Sequence, residues 1–194
     1  MIFDICEMAS PIGDFRVATS AGRLCALGFV DRWTQLEKRL AHRYGALQLR
    51  SSGGGLPLHD RLRDYFAGDL AALDAIAVDP VGTPFQLKVW TALRSIGPGR
   101  TVAYGDLARA IGAPAAVRAV GAANGANPIC IVIPCHRVIG ADRQLTGYGG
   151  GLERKRWLLQ HEGALFAEPT QPRLPARRET HTSMQLAFAA QRTG

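Results

Sequence analysis

Residues 127–138 of the chain read Asn-Pro-Ile-Cys-Ile-Val-Ile-Pro-Cys-His-Arg-Val, and this stretch decides how the second half is organised. The apolar residues 129–133 are mostly β-branched and too few for a helix, which predicts a short buried strand. Pro134 follows the run and cannot continue a central strand, so the strand is expected to end there. The pattern therefore places Cys135 and His136 at the carboxyl end of a buried strand.

Cys135 has two interpretations at this stage. A thiolate is a nucleophile, and a neighbouring imidazole or helix N-terminus lowers the pKa of a cysteine, so Cys135 can be reactive. Most cytosolic cysteines are instead small core residues, and adjacent residues on a strand point to opposite faces. The pair Cys135 and His136 alone favours the inert interpretation. Cys130, in the middle of the apolar run, is predicted to be a core residue.

Two short helices are predicted upstream of this stretch. The first covers residues 104–111 and stops at Gly112, and the second runs from Pro114 toward Ala123. A tight glycine-containing turn between two short helices is typical of a helix-turn-helix. Arg118 lies in the middle of the predicted second helix, amid small residues, where it either contacts DNA or is an ordinary solvated arginine. Tyr104, at the start of the first helix, has the alternative role of a half-buried packing residue.

The remaining segments predict a mixed α/β fold. Turn-forming residues at 10–13 and 20–22 divide the first thirty residues into three predicted strands, at 2–8, 15–19 and 24–30. Periodic apolar residues predict helices at 34–44 and 58–66. Thr83 and Pro84 begin a further helix, as a capping hydroxyl followed by proline at the first helical position. A glycine-rich loop at 147–151 precedes a last helix, at 152–161.

Composition and charge limit the function classes. The chain has 194 residues, of which 47% are hydrophobic and 20% charged, as expected for a soluble globular protein. No apolar run approaches the ~20 residues that span a bilayer, and the N-terminus lacks a signal-peptide pattern, so we expect a cytoplasmic protein without membrane contact. Residues 84–163 carry ten Lys or Arg against four Asp or Glu, while residues 1–83 are nearly neutral. A basic second half indicates a polyanionic partner there.

The four cysteines are expected to be free thiols, because disulfides are rare in a reducing compartment. No Cys-x-x-Cys pair occurs, and the five histidines lack zinc-ligand spacing. A metal site built from Cys6, Cys25 and a histidine stays open, but we expect no required metal and no cofactor.

Residues 127–138 closely resemble the active-site signature of the O6-alkylguanine-DNA alkyltransferases, also called methylated-DNA–protein-cysteine methyltransferases. The likeness continues over residues 82–163, through Gly-Thr-Pro-Phe-Gln at 82–86, Thr-Val-Ala-Tyr-Gly at 101–105, Arg-Ala-Val-Gly-Ala at 118–122 and Tyr-Gly-Gly-Gly-Leu at 148–152. The first 80 residues resemble the variable N-terminal domain of the family more loosely, chiefly in Ser-Pro-Ile-Gly at 10–13 and Tyr-Phe-Ala-Gly at 65–68. The resemblance implies an N-terminal α/β domain at 1–81 that is ribonuclease H-like. A winged helix-turn-helix catalytic domain follows at 82–163, and we expect a disordered tail at 164–194.

The resemblance also implies a reaction and its catalytic residues. Cys135 would accept the alkyl group from O6-alkylguanine in duplex DNA, irreversibly and once per molecule. His136 would take the thiol proton through a water, and Glu162 would orient the imidazole, which is the logic of a nucleophile, a base and an orienting group. Asn127 would fix the turn beside the site. Tyr104 would protonate or hydrogen-bond the departing guanine and help to rotate its phosphate.

Further residues would bind the DNA and the base. A stacked guanine cannot reach a buried sulfur, so the nucleotide must flip out of the duplex, and Arg118 would fill the gap. The recognition helix would also present Ala119, Gly121 and Ala122 to the groove. The base pocket would be lined by Pro134, by the carbonyls of Cys135 and Val138, and by the loop of Tyr148, Gly149 and Gly150. Those two glycines would leave room for alkyl groups larger than methyl.

Three other functions remain open on sequence grounds: a noncatalytic relative that binds alkylated DNA, a helix-turn-helix transcription regulator, and an unrelated cysteine hydrolase. The first should lack the acceptor cysteine, and the second usually carries a dimerisation element, whereas we expect a monomer here. The sequence leaves open the preferred alkyl size and the repair of O4-alkylthymine.

Overall fold

The computed structural model describes residues 2–52 and 57–167. Its first part contains a four-stranded sheet in the order β3-β2-β1-β4, with β1 at Ile2–Met8, β2 at Phe15–Ser20, β3 at Arg23–Phe29 and β4 at Gln48–Ser51. Strands β1, β2 and β3 pair antiparallel, and β4 joins β1 in parallel. The three predicted N-terminal strands are confirmed to within a residue at each end. The short strand β4 was not predicted.

Two helices cover this sheet. Helix α1 spans Trp33–Tyr44 and helix α2 spans Pro57–Phe66. Helix α1 buries Trp33, Leu36 and Leu40 against one face of the sheet, where they meet the side chain of Phe3. The opposite face of the sheet packs on the main core of the molecule. Helix α1 buries only its apolar side against the sheet, so its polar side is available to line a neighbouring site.

The second part is largely helical. It comprises α3 at Pro84–Arg94, β5 at Val102–Ala103, α4 at Tyr104–Ala110, α5 at Val117–Gly125, β6 at Val138–Ile139 and α6 at Leu152–His161. Thr83 caps α3 as predicted, because its side chain accepts from Gln86 N and Gln86 Oε1 accepts from Thr83 N. Helix α5 begins at Val117 and not at Pro114, so Arg118 is the second residue of the helix and not its middle.

The predicted strand over residues 129–133 is wrong. Ile129 makes a single bridge with Leu27 of β3, and the following residues turn. Ile131 has φ 66°, a left-handed conformation that β-branched residues rarely adopt. Burial of the run is confirmed for its isoleucines and Val132, but Cys130 is only half-buried. A tight buried turn, followed by a 3₁₀ turn at Cys135–Arg137, therefore delivers the thiol.

The two parts of the chain share one core. Buried side chains from the sheet, such as Phe15 and Leu27, pack in the same cluster as Trp90, Val120 and Leu158. Backbone hydrogen bonds from Leu27 N to Pro128 O and from Cys130 N to Leu27 O join the edge of β3 to the turn that precedes Cys135. The division at residues 81 and 82 stays a prediction. The first part thus helps to position the segment that carries the thiol.

The disordered tail predicted at 164–194 falls mostly outside the described residues, which end at residue 167. Residues 164–167, however, pack against the second part. Ala164 is buried beside Ile139 and Leu159, and Ala167 N donates to Arg143 O. The described chain contains no helix long and apolar enough to cross a bilayer.

Candidate active site

Asn127 braces the turn that leads to Cys135. Its Nδ2 donates to Ile133 O at 2.7 Å, and its Oδ1 accepts from Ile129 N at 3.0 Å. One buried side chain thus joins both ends of the segment in which Ile131 is strained. A strained backbone persists only where its surroundings hold it, and Asn127 supplies that restraint. This geometry agrees with the turn-fixing role expected for Asn127.

Asn127→Ala is expected to lower the free energy of unfolding by about 2 kcal/mol, because Ile129 N would be left buried without a partner. Urea denaturation followed by tryptophan fluorescence measures the change. Asn124→Ala is the matched control, since Asn124 is equally buried but makes only one long hydrogen bond, to Cys135 O at 3.4 Å. Equal losses in the two variants would show that Asn127 does not brace the turn.

The Cys135 thiol is 6% exposed, at the first position of the 3₁₀ turn. Burial raises the pKa of Cys135, and the Asn127 amide, the positive charge of Lys155 and the backbone N–H of His136 oppose this rise. The expectation that a neighbouring group lowers this pKa is therefore not met, because desolvation dominates. The thiol is protonated at rest, and its proton must be removed before the sulfur can act as a nucleophile.

A buried hydrogen-bond network lies behind the thiol. His136 Nε2 and Glu162 Oε1 are 3.0 Å apart, which confirms that these two predicted residues meet. Arg137 donates to the same carboxylate from Nη2 to Oε1 at 2.7 Å and from Nε to Oε2 at 2.8 Å. The hydroxyl of Tyr65, on α2, donates to Glu162 Oε1 at 2.8 Å. Glu162 is thus held by three partners from two distant parts of the chain.

The surroundings of Glu162 and His136 determine their protonation states. Burial alone would raise the pKa of Glu162, but hydrogen bonds from His136 and Arg137 lower it to about 2. Burial lowers the pKa of His136 despite its contact with Glu162, so the imidazole is neutral at neutral pH. Because Nε2 is oriented by a carboxylate, it carries the ring proton and Nδ1 keeps its lone pair. Nδ1 is buried and has no partner among the described protein groups. The imidazole can therefore accept a proton there.

Lys155 is a further buried charge, and no pattern in the sequence indicated it. Its Nζ donates to Val138 O at 2.6 Å and to Thr146 O at 2.7 Å. Burial lowers its pKa to about 8, while the nearby Cys135 acts in the opposite direction. Lys155 ties the segment after the 3₁₀ turn to the glycine-rich loop. It also occupies the Val138 carbonyl that was expected to read the base.

A cavity of about 700 Å³ opens beside Cys135. Seven of the predicted site residues line it: Tyr104, Gly121, Asn127, Cys135, Tyr148, Gly149 and Gly150. Cys130 also lines it and is half-buried against the main core, so the core position predicted for Cys130 is met in part. Pro134 instead lines a second cavity on the other side of the turn, and Val138 is fully buried in β6. His136 and Glu162 do not line the cavity, so they can affect a ligand there only through Cys135.

The two glycines of the loop differ in their surroundings. A Cβ at Gly149 would meet no atom within 4 Å, so this position is open as expected. A Cβ at Gly150 would overlap the ring of Phe29. Gly150 is therefore needed for close packing of the loop on β3 and does not widen the cavity.

The predicted DNA-contacting residues lie on α4 and α5. Tyr104 is the first residue of α4, its hydroxyl accepts from Thr146 Oγ1 at 3.4 Å, and its ring lies beside Gly121. Arg118, Ala119 and Ala122 are exposed on α5. They form a surface next to the cavity mouth and do not line the cavity itself. The structure thus brings Tyr104 and Gly121 to the thiol and leaves Arg118 outside.

The cysteines of the first part do not form a metal site with the described residues. Cys6 Sγ lies 3.1 Å from His59 Nε2, but no group of three His, Cys, Asp or Glu side chains gathers around a common point in the part of the chain described. All four cysteines are free thiols, as expected.

Comparison with known proteins extends this picture. Residues 84–164 match the family model of the 6-O-methylguanine DNA methyltransferase DNA-binding domain. The methylated-DNA–protein-cysteine methyltransferase of Salmonella typhimurium is 48% identical over 164 residues, which cover 82% of this chain and 95% of that protein. The crystal structure of Mycobacterium tuberculosis O6-methylguanine methyltransferase superposes with a TM-score of 0.70 at 42% identity, covering 83% of this chain and 93% of that one. The M. tuberculosis protein OGT in complex with DNA gives a TM-score of 0.68 at 40% identity, covering 84% and 93%. The chain therefore belongs to the family of methylated-DNA–protein-cysteine methyltransferases.

Proposed function

We propose that this protein repairs DNA by transferring the alkyl group of O6-alkylguanine in duplex DNA to Sγ of Cys135, once per molecule. One observation carries the proposal: Cys135 lines a cavity, and the next residue in the chain, His136, is a buried neutral imidazole held by the Glu162 carboxylate. A cavity of about 700 Å³ is large enough for a purine base. Membership of the family supports the same reaction.

The reaction is a displacement at the alkyl carbon. The proton of the Cys135 thiol moves through a bridging water to Nδ1 of His136, whose lone pair faces no protein group. Sulfur then forms a C–S bond as the C–O bond breaks, and the electron pair of that bond stays on the guanine. Tyr104, which lines the cavity, donates a hydrogen bond or proton to the leaving base. Glu162 stabilises the imidazolium that results, as an orienting carboxylate does.

We propose that the damaged nucleotide flips out of the duplex. The buried position of Cys135 in the cavity lining supports this, because an intact duplex cannot present a stacked base to a buried sulfur. The helices α4 and α5 act as a helix-turn-helix, with Arg118 entering the gap left in the duplex. The DNA complex of the M. tuberculosis relative supports a duplex partner.

The antiparallel strands β1 to β3 with β4 in parallel support a ribonuclease H-like first part. We further propose that the protein acts as a monomer in the cytoplasm.

The product of this reaction is a thioether, and no group in the described cavity can hydrolyse it. Incubation with excess O6-methylguanine duplex is therefore expected to add one methyl group to each protein molecule, on Cys135, and then to stop. Intact-mass measurement followed by peptide mapping checks the number and the position. A DNA duplex without the lesion is the control. Two or more lesions repaired per protein molecule would contradict the single-use acceptor.

A further inference from the structure

The wall of the cavity opposite α5 is formed by helix α1 of the first part. Arg32, which precedes the helix, and Gln35, Lys38 and Arg39 on it all line the cavity. Positions three or four residues apart share one side of a helix, so these residues form a continuous surface, here called the α1 face. All four are exposed. The α1 face is the polar side of the helix whose apolar side is buried against the sheet.

The positive charge on the α1 face is not neutralised by the described part of the protein. The cavity lining contains three cationic side chains, Arg32, Lys38 and Arg39, and no Asp or Glu among the described residues. None of the three forms an ion pair with a described residue. The nearest acid in sequence to Arg32 is Asp31, whose carboxylate is held by Arg154 Nη1 at 3.0 Å. A concave surface with charge of one sign favours a ligand of the opposite charge.

The α1 face has a fixed position relative to the helix that carries Arg118. Arg39 Nη1 donates to Gly125 O, at the last residue of α5, at 3.2 Å. The cavity therefore lies between the basic α1 face and α5, whose exposed Arg118 stands outside the cavity lining. A base that enters the cavity brings its sugar and phosphates to the cavity mouth, because the backbone is too polar and too long to follow the base inside.

From this arrangement we propose that the α1 face binds backbone phosphates of the DNA strand whose base occupies the cavity. The inference rests on the proposed function and extends it to the first part of the chain, whose overall charge is nearly neutral. Arginine binds a phosphate with two parallel hydrogen bonds, and lysine binds it as a point charge. The strand is thus held between the α1 face and the start of α5. Such interactions add affinity without reading sequence.

The test measures DNA binding separately from transfer. Arg32→Gln, Lys38→Gln and the double variant are compared in the Cys135→Ala background, by fluorescence anisotropy of a labelled O6-methylguanine duplex at several salt concentrations. The double variant is expected to bind the duplex about tenfold more weakly. The slope of log Kd against log salt concentration is expected to fall by about one for each phosphate that the variant no longer binds. Lys88→Gln, at an exposed position of α3 outside the cavity lining, is the matched control for charge.

A second readout uses the free base. With Cys135 intact, the loss of transfer rate from duplex DNA is expected to exceed the loss from free O6-methylguanine at least about fivefold, since the free base has no phosphates. Wild-type affinity and salt slope in the double variant would overturn the inference, and so would equal losses on duplex and free base. Absence of transfer by the unmodified protein would instead refute the proposed function, while the binding measurement would still decide the role of the α1 face.

Discussion

Replacing Cys135 with alanine is expected to abolish alkyl transfer while duplex binding persists. Among the described residues that line the cavity, Cys135 is the thiol directly followed in the chain by an imidazole that a carboxylate holds. The surfaces proposed to contact DNA, on α1, α4 and α5, do not depend on it. Transfer from a radiolabelled O6-methylguanine duplex to protein measures the first effect, and anisotropy with the same duplex measures the second.

Cys130→Ala is the matched control, because Cys130 is the other thiol that lines the cavity. The methyl group is expected on Cys135 in that variant as in the wild type. Methyl transfer that survives in Cys135→Ala would overturn the mechanism and would make Cys130 the candidate acceptor.

The same experiment separates the competing functions. A noncatalytic binder or a transcription regulator would show no transfer in any form, and a cysteine hydrolase would turn over an acyl substrate and ignore DNA.

The sequence predicted the positions of most elements but not the backbone that carries the thiol. The N-terminal strands lie between turn-forming residues, and α3 begins with a capping threonine and a proline, so local patterns were sufficient. The run at 129–133 has the composition of a strand, yet Ile131 is left-handed and the run turns. Nothing in the sequence of the run indicates this. The bracing by Asn127 and the bridge to Leu27 impose it from outside, a case of tertiary context overriding propensity.

The proposed catalytic residues came from the resemblance, and the residues that support them in the structure did not. Tyr65 meets Glu162 across 97 positions of sequence, and Lys155 reaches the carbonyls of Val138 and Thr146 from α6. A tyrosine or lysine in a helix carries no local sign of such a partner. The signal available was weak: Tyr65 lies in a short segment that resembles the N-terminal domain of the family, and Lys155 is a charged residue on a helix with buried neighbours.

Glu162→Gln is expected to have the second largest effect, on both transfer and stability. Glutamine keeps the size of the side chain but removes the charge that faces Arg137, whose guanidinium is almost fully buried. Leaving a buried charge without its partner costs about 3 to 5 kcal/mol of unfolding free energy. The imidazole of His136 also loses the group that fixes its tautomer, so the transfer rate is expected to fall by about a hundredfold or more. Urea denaturation and single-turnover transfer measure the two effects.

Tyr65→Phe is the matched control, because it removes one hydrogen bond to the same carboxylate and leaves the contacts with His136 and Arg137 in place. We expect it to cost about 1 kcal/mol and to change the transfer rate little. Comparable losses in Tyr65→Phe and Glu162→Gln would show that packing around the carboxylate matters and its charge does not.

The pH dependence of stability gives an independent measure of the Glu162 charge. The pKa of Glu162 is lowered from 4.5 to about 2 in the folded protein, so the unfolded chain takes up a proton first as the pH falls. Its contribution is complete above about pH 4.5 and is lost progressively between about pH 4.5 and pH 2, because the unfolded state binds more protons there. The wild-type protein should therefore lose stability more steeply than Glu162→Gln across this window, in urea midpoints taken at steps of pH. Parallel curves of urea midpoint against pH for the two proteins would mean that His136 and Arg137 do not hold Glu162 as a carboxylate. That result would also contradict the proposed orientation of the His136 imidazole.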